Sequence, residues 1–129
     1  MPIYNPPLRD MQFVLHEVFQ VTDAFKAMPR HADVDVDTVN AILEEAGKFA
    51  AGVTFPLNIS GDTDGCQLDR DTHEVTTPKG FKEAYQQFVE GGWAALSCEP
   101  EFGGQGLPHV MNQCLYEMLN SANQAWTMY

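Results

Sequence analysis

Three glycines within four residues, Gly103, Gly104 and Gly106, are the feature most suggestive of chemistry in this sequence. Glycine serves where a backbone needs positive φ or another group must come close. A phosphate cradle is therefore the first reading to test. The spacing rejects it, because there is no G-x-x-x-x-G-K-[ST], no G-x-G-x-x-G after a strand, and no lysine within reach of the loop. A helix-to-helix turn and a wall of a ligand pocket both remain open on the residues alone.

The stretch from Ser60-Gly61-Asp62-Thr63-Asp64-Gly65 to Asp71 partly imitates a calcium loop, with oxygen ligands at the third and fifth places, glycine at the sixth and an acid at the twelfth. Serine replaces the first aspartate and Asp71 the bidentate glutamate. A solvated acidic turn is the expected outcome, and no metal is assigned. His16, His31, His73 and His109 are scattered, without the spacing of a metal site or catalytic dyad. Cys66, Cys98 and Cys114 form no C-x-x-C pair, so they read as reduced, mostly buried apolar filler. No serine sits in a G-x-S-x-G context, and no cysteine has a basic or histidine neighbour in sequence to activate it.

The elements that would position these residues read as helices. After Pro7, the positions Leu8, Met11, Phe13, Val14, Leu15, Val18, Phe19 and Val21 include helical recurrence; residues 22–28 continue that helix or form a short second one, and Pro29 then stops helical hydrogen bonding. Asp35 or Asp37 caps an amphipathic helix carrying Val39, Ile42, Leu43, Ala46, Phe49, Ala50 and Val53 on one face. From Phe55 to Thr77 the pattern weakens to an irregular connection, with Cys66–Leu68 and Glu74–Thr76 able to pair as a very short hairpin. Pro78 after a Thr77 cap opens a helix with Phe81, Ala84, Tyr85, Phe88 and Val89, which Gly91-Gly92 ends. Pro108 opens a last helix with Met111, Cys114, Leu115, Met118, Leu119, Ala122 and Trp126 on one side, still running at Tyr129. The fold class expected is an all-α orthogonal bundle with one short β-hairpin near 66–76.

Bulk properties limit the partners. A chain of 129 residues suits one domain and buries roughly two thirds of its unfolded surface. The net charge of −11, from 18 acidic and 7 basic residues, repels nucleic acid and anionic lipid. No apolar run approaches a membrane span, and the start lacks a basic n-region with a long apolar stretch, so a cytoplasmic protein is expected.

The wording of the sequence adds a resemblance. Tyr4-x-Pro6-Pro7-Leu8-x-Asp10-Met11-x-Phe13-Val14-Leu15-x-Glu17-Val18 resembles the N-terminal extension of one branch of acyl-CoA dehydrogenases, the branch that includes 3-methylmercaptopropionyl-CoA dehydrogenase. Pro56-Leu57-Asn58, Gly61-Asp62, Gly65-Cys66, Val75-x-Thr77-Pro78-x-Gly80-Phe81-Lys82-x-Ala84-Tyr85 and Gly92-Trp93 look like the same branch in the same order. Glu101-Phe102-Gly103-Gly104-Gln105-Gly106-Leu107-Pro108 is similar to a loop shared more widely in the family.

The resemblance implies a helical extension over 1–33 and the family's N-terminal α-domain over 34–129. A middle β-domain and a C-terminal bundle, lying outside this chain, would hold the FAD and the glutamate base. The implied reaction removes an α-proton and passes the β-hydride to flavin N5, converting an acyl-CoA thioester to the 2-enoyl-CoA for an electron acceptor, as in fatty acid metabolism. No catalytic or cofactor-binding residue is assigned here. Phe102, Gly103, Gly104, Gly106, Leu107, Cys114, Glu117 and Met118 are the residues implied to line the acyl-chain pocket, Met118 suiting a thioether-bearing substrate. The fragment alone is expected to be inactive and flavin-free, with a homo-oligomeric parent. It is also expected to self-associate through Leu115, Met118, Leu119 and Trp126, left facing an absent neighbour. The alternative is a stand-alone, non-catalytic helical interaction module.

Overall fold

In the computed structural model, which describes residues 2–128, the chain is an all-α bundle with a single two-residue hairpin. Helix α1 (Leu8–Gln12) passes into a π-helical segment (Phe13–Val18), and α2 (Val21–Lys26) follows. The break between them falls at Gln20, whose φ of 49° is left-handed, so the two cannot form one continuous helix. Only Met11, Leu15 and Phe25 of this region are buried, while Phe13, Val14, Val18 and Phe19 stay exposed. The apolar stripe expected here is thus only partly used.

Helix α3 (Val36–Phe49) starts where Asp35 accepts a hydrogen bond from the Thr38 N–H at 2.8 Å, the N-cap arrangement that satisfies an otherwise free donor. It too passes into a π segment (Ala50–Thr54). Val39, Leu43, Ala46, Phe49 and Ala50 are buried at the expected spacing, with Ile42 and Val53 partly covered. Helix α6 (His109–Thr127) packs against α3 and its π extension, bringing Met111, Leu115, Met118, Leu119 and Ala122 into the same core. Burying each of the larger side chains contributes about 1.5–3 kcal/mol, which makes this pair the main source of stability.

Of the face expected to be bare on the last helix, only Trp126 is partly exposed. Leu115, Met118 and Leu119 are 0% exposed. They found their neighbour within the chain, in the α3 face, so they offer no surface for self-association. Three further expectations are corrected. Residues expected to form only an irregular connection include a helix, α4 (Leu57–Asp64), which has no fully buried residue and so carries no apolar period to read. Helix α5 (Phe81–Glu90) begins after Gly80, at φ 90°, rather than at Pro78 with a Thr77 cap. Cys66 and Cys98 are exposed, and only Cys114 is buried.

The hairpin is present as β1 (Gln67–Leu68) and β2 (Val75–Thr76), antiparallel with Gln67 opposite Thr76 and Leu68 opposite Val75. Two short 3₁₀ turns, Trp93–Ala95 and Pro100–Phe102, lead from α5 to α6. Surface links tie the ends of the N-terminal region to the rest. His16 Nε2 lies 2.8 Å from Asn40 Oδ1, and Arg30 pairs with Glu99 at 2.6 Å.

Candidate functional site

An asparagine near the end of α6 sets the direction of the turn that borders an open groove. Asn123 has φ −158° and ψ 87°, non-helical values within a helical run, so the chain is re-aimed there. Its side chain explains why. Oδ1 accepts the Trp126 N–H at 3.1 Å, which makes Asn123 an N-cap for the final turn. Nδ2 donates to the Thr54 carbonyl at 3.0 Å, at the end of the π segment after α3. Both residues are essentially buried, with Asn123 1% and Thr54 0% exposed, so a lost partner would leave a desolvated polar group.

The turn that Asn123 starts carries Trp126. The indole N–H donates to the Phe81 carbonyl at 3.1 Å, and the ring meets Phe88 edge-on at 5.5 Å between centroids and Phe49 at 6.1 Å. This aromatic set joins α3, α5 and α6. On one side of Trp126 lies an open groove of about 930 Å³ with Ile59, Pro78, Phe81 and Ala125 among its walls and Asn58, Asp62 and Cys66 as polar members. Trp126 also lines a smaller open pocket of about 190 Å³, together with Tyr85, Phe88, Leu119 and Thr127 among others. The groove is large enough for a small-molecule ligand, and its mix of apolar walls with few polar groups suits one.

None of the expected pocket-lining residues lies on that groove. Phe102 projects from the glycine-rich loop at 79% exposure. The loop's hydrogen bonds turn inward. Gly103 N–H donates to Pro100, Gly104 to Glu99, Gln105 to Ala95, Gly106 to Cys98 and Leu107 to Leu96, at 2.9–3.1 Å. Each of these N–H groups is already spoken for, so the loop has no free donors with which to hold a phosphate. Gly103 and Gly106 have φ of 84° and 67°. Gly104 is needed for closeness instead, because a Cβ there would run into the Cys98 carbonyl. The glycines are therefore explained by the turn they build.

Cys114 and Glu117 sit elsewhere, on a groove of about 380 Å³ between α6 and the N-terminal helices, opposite Asp10, Met11, Val14 and Phe19. Burial pushes the Cys114 thiol above its ordinary value, and the Glu117 carboxylate pushes it the same way. Burial likewise raises the Tyr4 phenol, opposed by hydrogen bonding with Ser121 and reinforced by the Glu117 carboxylate. Met118 is in the core at 0% exposure. The candidate residues thus divide among a loop, a second groove and the interior.

The remaining sequence candidates resolve locally. Asp62 and Asp64 belong to α4, and Asp69 accepts the N–H groups of Asp71 and Thr72, so this acidic stretch is a helix end and a turn. Among the described residues, no three His, Cys, Asp or Glu side chains come together as a metal site. His31 packs edge-on to Phe25, and His109 contacts Gln113 and Ser97. No helix among the described residues is long and apolar enough to cross a membrane.

The groove residues were missed because they come from separated stretches, 58–66, 77–81 and 125–126. Phe81 and Trp126 carried a signal, as apolar positions of their helices.

A helical bundle with these features has acyl-CoA dehydrogenases as its homologues. The chain is 37% identical over 95% of its length to 3-methylmercaptopropionyl-CoA dehydrogenase of Ruegeria pomeroyi. It is 33% identical over its whole length to the broad-specificity linear acyl-CoA dehydrogenase FadE5 of Mycobacterium tuberculosis. A butyryl-CoA dehydrogenase of Syntrophomonas wolfei is 26% identical over 98% of the chain. The chain spans about a fifth of the length of these relatives, 20–21%. No family model matches it.

Proposed function

We propose that this chain is the N-terminal helical domain of a flavin-dependent acyl-CoA dehydrogenase and supplies walls to the pocket for the acyl chain. The observation that carries the reading is homology to three such dehydrogenases over 95–100% of the chain. The groove beside Trp126 is the surface we assign to the acyl chain, on its volume of about 930 Å³ and its walls of Ile59, Pro78, Phe81 and Trp126. The glycine-rich loop and the Cys114–Glu117 face are further surfaces offered to the rest of the enzyme, while Met118 belongs to the core.

To these residues we assign no flavin contact. The glycine-rich loop has its N–H groups bonded to carbonyls of residues 95–100 and offers none to a flavin phosphate. The chain's 7 basic residues are outnumbered by 18 acidic ones, and Arg30 is engaged with Glu99. We therefore assign to these residues the shaping and drying of a pocket, and derive no redox step from them.

The test is the natural gene product. It should be yellow with bound flavin and bleach an artificial electron acceptor when a straight-chain acyl-CoA is added. A colourless protein without acyl-CoA-dependent dye reduction would overturn the reading.

A further inference from the structure

We infer that Asn123 is a positioning residue, whose buried carboxamide breaks α6 and holds Trp126 as the partition between the groove and the smaller pocket beside it. The inference that this partition sets how deeply an apolar chain enters rests on the acyl-chain reading above. The geometry of the partition does not.

A continuous helix would carry residues 124–127 along the axis of the preceding turns. Instead, φ −158° and ψ 87° at Asn123 redirect them. An isolated non-helical residue in a helical run costs free energy unless its surroundings over-determine it. Here both ends of the carboxamide are engaged, Oδ1 by the Trp126 N–H and Nδ2 by the Thr54 carbonyl, and Thr127 Oγ1 donates to the Asn123 carbonyl at 2.8 Å. An apolar residue could satisfy neither partner. Asparagine is one of the few side chains that can cap a new turn and donate outward at once.

Trp126 is the side chain that benefits. It lines both the groove of about 930 Å³ and the smaller pocket of about 190 Å³. The same ring therefore ends one space and begins the other. Its indole N–H reaches the Phe81 carbonyl, which anchors the ring to α5 only while the final turn keeps its direction. If that turn swings away, the two spaces join and a longer apolar chain can enter.

The experiment has two arms. In the first, Trp126 is the single tryptophan in a Trp93→Phe background of the full chain, and its emission and acrylamide quenching are read at a temperature where unfolding is still cooperative. Asn123→Ala should shift emission to longer wavelength and increase quenching. Asn123→Ser, whose neutral hydroxyl keeps an acceptor for the Trp126 N–H, should move both less than Asn123→Ala does. Unchanged Trp126 signals in Asn123→Ala, or equal release in both variants, would overturn the positioning role. If Asn123→Ala does not fold, Gln124→Pro decides, because proline suits the first position of a new turn and not the middle of a continuous one. Its native emission supports the inference, and loss of the fold or release of Trp126 overturns it.

In the second arm, the full-length enzyme is assayed with long and short straight-chain acyl-CoA substrates. The ratio of their kcat/KM values should rise about tenfold in Asn123→Ala, the scale of discrimination by one or two methylenes in an apolar pocket. It should return toward the parent value in Asn123→Ser. An unchanged ratio beside a released Trp126 would overturn the depth-setting role. A parent enzyme that oxidises no acyl-CoA would instead sink the functional reading, and the fluorescence arm would still judge Asn123.

Discussion

Buried and exposed copies of the same side chain should behave differently in this molecule, and its cysteines offer the simplest case. Cys66 and Cys98 are exposed, whereas Cys114 is buried with its thiol pKa raised by desolvation and by Glu117. Thiolate is the reactive form. Iodoacetamide at mildly alkaline pH should label Cys66 and Cys98 well before Cys114, as mass mapping of the peptides would show. Equal labelling of all three would contradict the burial.

Asp35 gives a second test, in pH. Hydrogen bonding from Thr38, through its side chain and then its backbone N–H, lowers the Asp35 pKa below its ordinary 3.8. A carboxyl depressed in the folded state adds stability above the unfolded value, and that stability fades as the pH falls through the folded one. Melting temperature should therefore drop on acidification below about 3.8. Asp35→Asn keeps the capping acceptor without the charge, so its melting temperature should fall less over the same range. Parallel curves for the two proteins would remove Asp35 from the account.

The elements show which sequence signals were sufficient. Helix α3 was legible because Val39, Leu43, Ala46 and Phe49 repeat at helical spacing behind a capping aspartate, and both signals are local. Helix α4 was not, since none of its residues is fully buried and Asn58, Ser60, Gly61 and Asp62 are common loop residues. The break at Asn123 was equally hidden. An asparagine amid apolar helical positions looks like a tolerated interruption until Thr54, 69 residues earlier, is brought alongside to accept its amide. The groove depends on that break, so it could not be read before the fold.

The glycine-rich loop carries its own prediction. Gly104→Ala places a Cβ against the Cys98 backbone, which cannot give way as a flexible side chain would. Overpacking of this kind costs about 1–3 kcal/mol. At Gly103 a Cβ meets nothing within 4 Å, so alanine there faces only the penalty of φ 84°, about 1–2 kcal/mol. Denaturant unfolding should rank Gly104→Ala as the more destabilised. The reverse order would mean that the loop relaxes around residue 104.

At the scale of the whole molecule, stability rests on the contact of α3 with α6. Leu43 and Leu115 are both 0% exposed, and truncation of either to alanine should cost about 2–5 kcal/mol in urea unfolding. A loss below 1 kcal/mol at both, on the order of a surface substitution, would mean that this interface is not the principal core. The apolar side chains still exposed are concentrated in the N-terminal region, where Phe19 is 68% and Val18 54% exposed.

The separation between Thr54 and Asn123 also bears on the order in which the chain is made. Helix α3 leaves the ribosome long before α6, and its apolar face has no lasting cover until residues near 111–122 have emerged. Contacts so distant in sequence form late, because the intervening loop must close first. During synthesis, Val39, Leu43 and Phe49 therefore face a period of exposure. A nascent chain halted before α6 should be captured by a holdase chaperone and cut readily by protease, and one extended past Trp126 should resist both.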